Sequence, residues 1–362
     1  LYDKATGKMC RITLLGNKLI TETGKPDKPR VTEKEFTTAE EAQKAFIKKE
    51  WETLKKGFVL RNENAKAGEP FLHYFIGGGY TGCLSFCGTP VGIFVYQNKL
   101  AYKGKGDKDY LVLIDNAGNC LKEIELPEIL AWDIDYNPTA YSLLLDIDHS
   151  IYEYPIETGA FNKLSDGKRS VTSFVGVSGN RNIYATNKKF YITDSKNTLL
   201  FEGDYETKTV KGTTPFCMQL SEDGTLLALN TRVGEIQIID TTTGKLINKI
   251  TAGFEMIKQM EFTADNTVLI CMEQYGSWGM RYFDLSNSKE IQMESLEITS
   301  YSKEVNAFCL NTDQSKLVLI HWENAYVYDF NEKKLLQTFK IDHVVKSLHA
   351  KFVGDKLGIR TD

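Results

Sequence analysis

The chain has 362 residues, of which 42% are apolar and 25% are charged, and both fractions are typical of a globular protein. No apolar run approaches the roughly eighteen residues of a membrane-spanning helix, and the first residues lack the charged-then-apolar order of a signal peptide. The net charge of −4 conceals an asymmetry, because residues 1–62 carry 14 Lys and Arg against 9 Asp and Glu, whereas the rest carries 30 against 39. We therefore expect two parts of opposite charge and no membrane partner.

The seven cysteines are scattered, and most lie inside apolar runs such as Phe216-Cys217-Met218. An odd number of thiols in such runs is typical of a reduced, cytoplasmic protein and not of a secreted disulfide framework. Cys83 and Cys87 are four residues apart in a strand-like segment, so we expect them on one face of a strand as a buried pair.

The N-terminal part begins with two short predicted strands, residues 11–14 and 18–21, on either side of the turn Gly16-Asn17. A Pro-containing loop over residues 25–30 and a third strand over residues 31–36 follow. The next residues, Thr38-Ala39-Glu40-Glu41, fit a capping box, which stabilises the start of a helix by about 1 kcal/mol.

The predicted helix carries an apolar stripe and ends at Gly57. The stripe consists of Ala42, Phe46, Ile47, Trp51 and Leu54. Residues 62–69 are polar and show no apolar periodicity. The sequence therefore predicts a compact α+β domain over residues 1–62 and a linker over residues 63–70.

Several short segments of this predicted domain carry a family resemblance. They are Met9-Cys10-Arg11-Ile12, residues 18–25, residues 35–42 and Leu54-Lys55-Lys56-Gly57-Phe58. In these segments the chain resembles a WGR domain, the small module found in poly(ADP-ribose) polymerases and in some bacterial regulators. The Trp-Gly-Arg tripeptide of that family corresponds to Thr23-Gly24-Lys25 here. Because the family's module often contacts nucleic acid, the resemblance implies this α+β fold and a candidate nucleic-acid surface.

Basic residues cover much of the surface of the predicted helix, with Trp51 nearby. They are Lys44, Lys48, Lys49, Lys55 and Lys56. A basic face beside an aromatic side chain is suited to a phosphate backbone, so these lysines are the candidate nucleic-acid contacts. The alternative is a solvated helix face on which the lysines pair with Glu40, Glu41 and Glu52.

From residue 91 onward, short apolar runs alternate with turn residues at a regular spacing. An aspartate closes such a run at Asp115, Asp194, Asp240, Asp284 and Asp329. The gaps are roughly 45 residues, except for the first, which is about twice 40 and indicates a hidden repeat. We assign that repeat to residues 150–155, where Pro155 stands in place of the aspartate.

Two further strands precede each marker in the clearest units. These strands are predicted at residues 216–220 and 226–230 before 235–240, at 259–262 and 268–272 before 281–284, and at 306–310 and 317–321 before 325–329. Four strands in each 40–45 residues are typical of the blade of a β-propeller, and the period resembles that of WD40-like propellers.

The two ends of the repeat region are predicted to share one blade. Residues 346–352 and 357–360 supply only two strands, so we expect residues 71–76 and 81–87 to supply the missing outer strands and clasp the ring. The predicted fold class is therefore mainly β, with a seven-bladed β-propeller over residues 71–362 after the small α+β domain.

The sequence carries no arrangement of residues that predicts a catalytic, cofactor or metal site. The histidines are His73, His149, His321, His343 and His349, and no pair has a spacing typical of zinc ligands. The run Gly77-Gly78-Gly79-Tyr80-Thr81-Gly82 lacks the Gly-Lys-Ser/Thr ending of a phosphate loop, so we interpret it as a connection between strands.

Four aspartates lie close together in one predicted blade, namely Asp133, Asp135, Asp146 and Asp148. They could line the central channel as a calcium site, because hard cations prefer carboxylate oxygens. We favour the alternative that they cap turns at the ends of strands.

Aromatic residues near predicted loops are the candidate partner contacts of the propeller. They are Tyr275, Trp278, Tyr301 and Trp322. Because aromatic side chains are enriched at binding hot spots, we predict a non-catalytic scaffold that binds a protein or peptide partner. The alternative is a nucleic-acid-associated regulator that docks phosphates through residues 1–62, and an enzyme is a third reading.

Overall fold

A computed structural model describes residues 1–3, 6–75, 86–98, 108–168, 173–209, 214–275, 279–291, 305–341 and 348–361. Within these residues the fold is mainly β, built from antiparallel sheets and a single helix. The Gly-rich run of residues 77–82 and the expected strand pair of Cys83 and Cys87 fall wholly or partly outside the described residues.

The N-terminal sheet has four antiparallel strands in chain order. Its elements are β1 (Tyr2–Asp3), β2 (Lys8–Leu15), β3 (Lys18–Lys25) and β4 (Lys28–Glu35), followed by α1 (Ala39–Leu54). The hairpin at Gly16 and Asn17 is confirmed, with a φ of 60° at Gly16. The loop predicted over residues 25–30 is wrong, because β3 and β4 pair as far as Lys25 and Lys28 and leave only a two-residue turn. Pro26 opens that turn, where its fixed φ is suitable.

The N-terminal end of α1 closes as the capping box predicts, with one difference. The Thr38 hydroxyl accepts a hydrogen bond from the Glu41 amide at 3.2 Å, but the Glu41 carboxylate accepts from the Thr37 amide at 3.1 Å. The helix packs against β2 and β3. Of the predicted apolar stripe, Ala42 and Leu54 are buried, whereas Phe46, Ile47 and Trp51 are half-buried.

The remaining strands form six four-stranded antiparallel sheets and a final hairpin within the described residues. The first three sheets are β7 (Phe86–Thr89), β8 (Gly92–Asn98), β9 (Asp109–Ile114) and β10 (Cys120–Glu125); β11 (Ala131–Asn137), β12 (Ser142–Ile147), β13 (Ser150–Pro155) and β14 (Asn162–Ser165); and β15 (Phe174–Ser178), β16 (Arg181–Thr186), β17 (Lys189–Asp194) and β18 (Leu199–Asp204).

The next three sheets and the hairpin complete the chain. They are β19 (Cys217–Leu220), β20 (Leu226–Arg232), β21 (Glu235–Asp240) and β22 (Leu246–Thr251); β23 (Met256–Phe262), β24 (Val268–Tyr275), β25 (Met280–Asp284) and β26 (Lys289–Ile291); β27 (Ala307–Leu310), β28 (Lys316–His321), β29 (Asn324–Asp329) and β30 (Lys334–Lys340); and β31 (Leu348–Val353) with β32 (Lys356–Thr361). The predicted repeat of four strands, including the hidden unit that ends at Pro155, is confirmed.

We call the first strand of each sheet, together with β31, the inner strands. Each inner strand contacts the inner strand of the next sheet, and β31 contacts both β27 and β7, so that the contacts form a closed circuit. Apolar clusters fill the spaces between successive sheets. Phe94 of the first sheet, for example, meets Tyr154 of the second with ring centroids 6.4 Å apart. The core is therefore distributed between the sheets and is not gathered in one centre.

Of the segments predicted to supply the closing strands, residues 76 and 81–85 lie outside the described residues, and the described parts pair elsewhere. Phe71 precedes a two-residue strand, β6 (Leu72–His73), which pairs with β5 (Leu60–Arg61) and not with β32. β7 is the inner strand of the first sheet, where it pairs with β8. The hairpin of β31 and β32 packs against β7 through side chains instead, so tightly that a Cβ at Gly88 would lie 2.7 Å from Val353.

The segment that was predicted as a linker packs against the last four-stranded sheet, and Val59 just before it packs against the first sheet. The Gln337 side chain of the last four-stranded sheet donates a hydrogen bond to the Ala67 carbonyl at 2.7 Å. A Cβ at Gly118, in the first sheet, would lie 2.6 Å from Val59. The ring of Trp51 in α1 also meets that of Phe75, with centroids 5.2 Å apart. The N-terminal sheet and helix are thus held beside the place where the first and last sheets of the circuit meet.

The repeating aspartates close the third strand of five sheets and shape the turn to the fourth. In each, Oδ1 accepts a hydrogen bond from a backbone amide two to four residues further on, as Asp240 does from Thr242 at 2.9 Å and Thr243 at 2.7 Å. These bonds to the charged form lower the pKa of Asp240. The period seen in the sequence is therefore a period of turn chemistry.

Candidate functional site

An ion pair lies at the centre of the circuit of inner strands. Lys351 of β31 donates to Asp135 of β11, with 2.9 Å between Nζ and Oδ1, and the other carboxylate oxygen accepts from the Val177 amide of β15 at 2.8 Å. The charge of Asp135 raises the pKa of Lys351 further above its usual value. Although inner strands surround the pair, 43% of the Lys351 side chain is accessible, so water enters this space. We call it the central channel.

More carboxyl groups face the central channel than Lys351 can neutralise. Burial raises the pKa of Asp133 to about 7, and the neighbouring charge of Asp135 adds to this effect while Lys351 opposes it. Burial likewise raises the pKa of Glu261, on β23, to about 7, against the attraction of Lys351. The channel therefore has an excess of acceptor groups whose negative charge is poorly compensated.

The sequence located only part of this cluster. Asp133 and Asp135 were considered for the channel, and the structure places them next to Lys351, whereas Asp148 lies in the turn between β12 and β13 with a φ of 49°. Glu261 and Lys351 were missed. Each is a charged residue flanked by apolar neighbours in an inner strand, Glu261 by Met260 and Phe262 and Lys351 by Ala350 and Phe352, and this is the signal that could have found them.

The channel does not match a metal centre. No group of three or more His, Cys, Asp and Glu residues in the described part of the chain is arranged to hold a metal ion. The calcium interpretation of the four aspartates therefore has no ligand set there.

Beside the channel, a histidine, a serine and an aspartate are linked by hydrogen bonds. His149 Nδ1 lies 2.8 Å from the Ser173 hydroxyl, and Ser173 is also bonded to the carboxyl of Asp146. The ring of His149 stacks on Trp132 with centroids 5.4 Å apart. In hydrolytic triads the histidine stands between acid and serine, but here the serine is in the middle. The arrangement therefore differs from a triad in its order, and burial raises the pKa of Asp146 to about 7.

Trp322 occupies the two-residue turn between β28 and β29. Its side chain is 44% exposed, its φ is 50°, and its amide donates to the Asn306 side chain at 2.6 Å. Gly or Asn is usual at such a position, because a bulky residue with positive φ is strained. The equivalent turn of the third sheet has Asn187 there, with a φ of 54°. An exposed tryptophan is thus held in an unfavourable backbone conformation.

The other candidate aromatics are only partly accounted for. Tyr275 is the last residue of β24 and its backbone pairs with Met256. Trp278 and Tyr301 lie outside the described residues. The structure therefore positions Trp322 alone of the four side chains.

The candidate lysines lie on α1 and just after its end, and most of them are exposed. Lys44, Lys48, Lys55 and Lys56 are exposed, Lys49 is half-buried, and none of the five forms an ion pair with the described residues. At 100° per residue, Lys44, Lys48 and Lys55 fall within about 40° of one another on the helix, next to Trp51. The Lys55 ammonium lies 4.9 Å from the centre of the Trp51 ring. The alternative of a solvated face stays open, because Lys44 also lowers the pKa of Glu40 through its charge.

Comparisons with known proteins assign no family. No protein-family model and no curated protein matches the chain. A chain of a solved structure titled "Crystal Structure of Mitotic Checkpoint Complex" aligns with 59% of this chain at 15% identity and a TM-score of 0.46. The alignment spans 65% of that chain, less than two thirds of its length. Among the described residues, no helix has the length and apolar character needed to cross a bilayer.

Proposed function

We propose that residues 71–362 form a seven-bladed β-propeller that acts as a non-catalytic scaffold for a protein or peptide partner in the cytoplasm. The closed circuit of inner strands supports the blade count, with six four-stranded sheets and a seventh unit built on β31 and β32. The free, mostly buried cysteines fit a reducing compartment. The four-stranded sheet and helix of residues 1–62 support a WGR-like domain as the second contact.

One observation carries the scaffold proposal, namely the exposed and strained Trp322. Backbone strain of this kind persists where the surrounding structure enforces it, and it concentrates at binding and active sites. Tryptophan is also the residue type most enriched at interface hot spots. A turn that would be more stable with Asn or Gly but holds an exposed indole is best explained by a partner that covers the indole.

The test is quantitative capture of partners by the immobilised full chain, its Trp322→Asn variant and a matched control, Asn187→Gly. Both substitutions place a small residue at the same position of equivalent turns. Loss of a hot-spot tryptophan costs about 2 kcal/mol, so we expect a bound protein to be reduced roughly thirtyfold by Trp322→Asn and unchanged by Asn187→Gly. Equal capture by all three proteins would contradict the proposal.

A second function, docking of nucleic acid through α1 and the residue after it, is supported by the exposed stripe of Lys44, Lys48 and Lys55 beside Trp51. The test is a fluorescence-anisotropy titration of the full chain with short duplex DNA and single-stranded RNA at low and physiological salt. We expect binding that weakens steeply with salt and is lost when Lys44, Lys48 and Lys55 are replaced by Gln. Gln substitution of three exposed lysines elsewhere, Lys245, Lys289 and Lys316, is the control with the same change in charge. Equal loss in both variants would leave only a non-specific effect of net charge.

A further inference from the structure

The charge balance of the central channel leaves room for a further cation. Asp133, Asp135 and Glu261 all act on Lys351 electrostatically, and Lys351 satisfies only Asp135 by direct contact. Asp133 accepts a hydrogen bond from the Ile134 amide at 2.9 Å, but this neutral donor supplies no positive charge.

Asp146 adds an oriented and unused acceptor to this cluster. It lies directly opposite Asp133 in the register of β11 and β12, so both side chains are on the same face of the sheet. Its carboxyl is only 1% exposed and is bonded to Ser173 and to the His149 amide. Its Oδ1 has no hydrogen-bond partner among the residues that the structure describes. Such a buried, unpaired oxygen costs stability unless a donor reaches it.

The chemistry of the channel favours an organic cation over a metal ion. The described carboxyl groups do not converge as metal ligands, but the channel already holds one ammonium group at hydrogen-bond distance from a carboxylate. A guanidinium or primary ammonium supplies both the positive charge and several N–H donors, and charge-assisted bonds of this kind are the strong ones. The Lys351 side chain is 43% accessible, so solvent reaches the channel beside these carboxyl groups.

We propose that the central channel binds a second organic cation, a guanidinium or primary ammonium group, between Asp133 and Asp146. The cation completes the hydrogen bonds of Asp146 and offsets the excess negative charge around Lys351. It is either a free small molecule or the tip of an Arg or Lys side chain of a partner.

The test is isothermal titration calorimetry of the full chain with agmatine, with N-butylurea as the uncharged analogue and Ca²⁺ as the metal probe. Loss of one charge-assisted hydrogen bond is worth about 1.5–3 kcal/mol, so we expect Asp133→Asn and Asp146→Asn each to weaken agmatine binding about tenfold or more. The control Glu332→Gln, an exposed carboxylate outside the channel, is expected to bind as the wild type does. Circular dichroism melting curves establish that each variant is folded.

The outcomes distinguish the possibilities. The proposal is overturned if agmatine does not bind, or if the wild type and both Asp variants bind it equally. It is also overturned if Ca²⁺ binds with the same dependence on Asp133 and Asp146. Binding of N-butylurea as tight as that of agmatine also overturns it. A pentapeptide with a central arginine that binds like agmatine identifies a partner side chain as the source, and agmatine binding alone identifies a free molecule. Trp322→Asn is expected to leave agmatine binding unchanged, so this inference and the scaffold proposal can fail separately.

Discussion

Replacing Asp133 by Asn is predicted to stabilise the protein at alkaline pH, although it changes a side chain beside an ion pair. The pKa of Asp133 is raised to about 7 from the usual 3.8, chiefly by burial. Between these two values the folded state holds a proton that the unfolded state has released, so the free energy of unfolding falls as pH rises from about 4 to about 7. Above about pH 7 the free energy of unfolding does not fall further on account of Asp133. Asn carries no charge, and its Oδ1 can still accept the hydrogen bond from the Ile134 amide.

The size of the effect follows from the two pKa values. A difference between 3.8 and about 7 corresponds to about 4 kcal/mol at pH 8. Water in the channel screens part of this, so we expect Asp133→Asn to raise the free energy of unfolding by about 2 kcal/mol at pH 8. At pH 5 Asp133 of the folded wild type is mostly protonated, so most of the free-energy cost of ionising it is absent. The gain in the free energy of unfolding from Asp133→Asn should therefore fall to less than half.

The assay is urea denaturation at pH 8 and pH 5, with Asp135→Asn as a matched control two residues along the same strand. That variant removes the partner of Lys351 and weakens the bond from Val177, so we expect a loss of about 1–2 kcal/mol at both pH values. The channel electrostatics require that, at pH 8, Asp133→Asn raises the free energy of unfolding and Asp135→Asn lowers it. A gain for Asp133→Asn that is the same at both pH values, or no gain at all, would refute the reasoning.

Two further predictions concern local structure. Trp322→Asn should equal the wild type in stability or exceed it by up to about 1 kcal/mol in urea denaturation, because Asn tolerates the φ of 50° that strains Trp; a clear loss would show that the indole packs usefully in the free protein. Thr38→Ala should lower stability by about 1 kcal/mol, since the Glu41 amide loses its acceptor, whereas Thr37→Ala, which keeps its amide bond to Glu41, should cost less.

The repeat could be predicted from the sequence because its signal is local. An aspartate that ends a strand and bonds to amides two to four residues later needs no information from elsewhere in the chain, and residues 235–240 were predicted with the bounds that β21 has. The outer strands carry a second repeat that was not predicted. In five sheets a β-bulge inserts one extra apolar residue into the outer strand. Leu121, Leu200, Ile247 and Leu336 are exposed there, and Leu164 is half-buried. Such bulges discourage pairing with another chain.

The ring closure could not be predicted, because strand pairing at the ends depends on contacts between residues far apart in the chain. Phe86 and Cys87 are consecutive and both buried, as expected for an inner strand covered on both faces, whereas the outer strand β10 is mostly exposed. The prediction rested on the need to complete the last blade and did not use this difference. The residues of the central channel could be predicted only in part for the same reason. Lys351 and Asp135 form an ion pair there but are 216 residues apart in the chain.

The packing between neighbouring sheets gives a prediction that isolates tertiary contact from local strain. Gly244, in the turn before β22, has a φ of 67°, and a Cβ there would overlap the ring of Phe201 in the preceding sheet. Gly354, in the turn between β31 and β32, has a φ of 60° and nothing within 4 Å. Both Ala variants strain the backbone by about 1 kcal/mol, but only Gly244→Ala must also displace Phe201, which adds about 1–3 kcal/mol. We therefore expect urea denaturation to show a loss of about 2–4 kcal/mol for Gly244→Ala and about 1 kcal/mol for Gly354→Ala. Equal losses would mean that Phe201 moves aside freely, and that the sheets are less tightly packed than their buried side chains indicate.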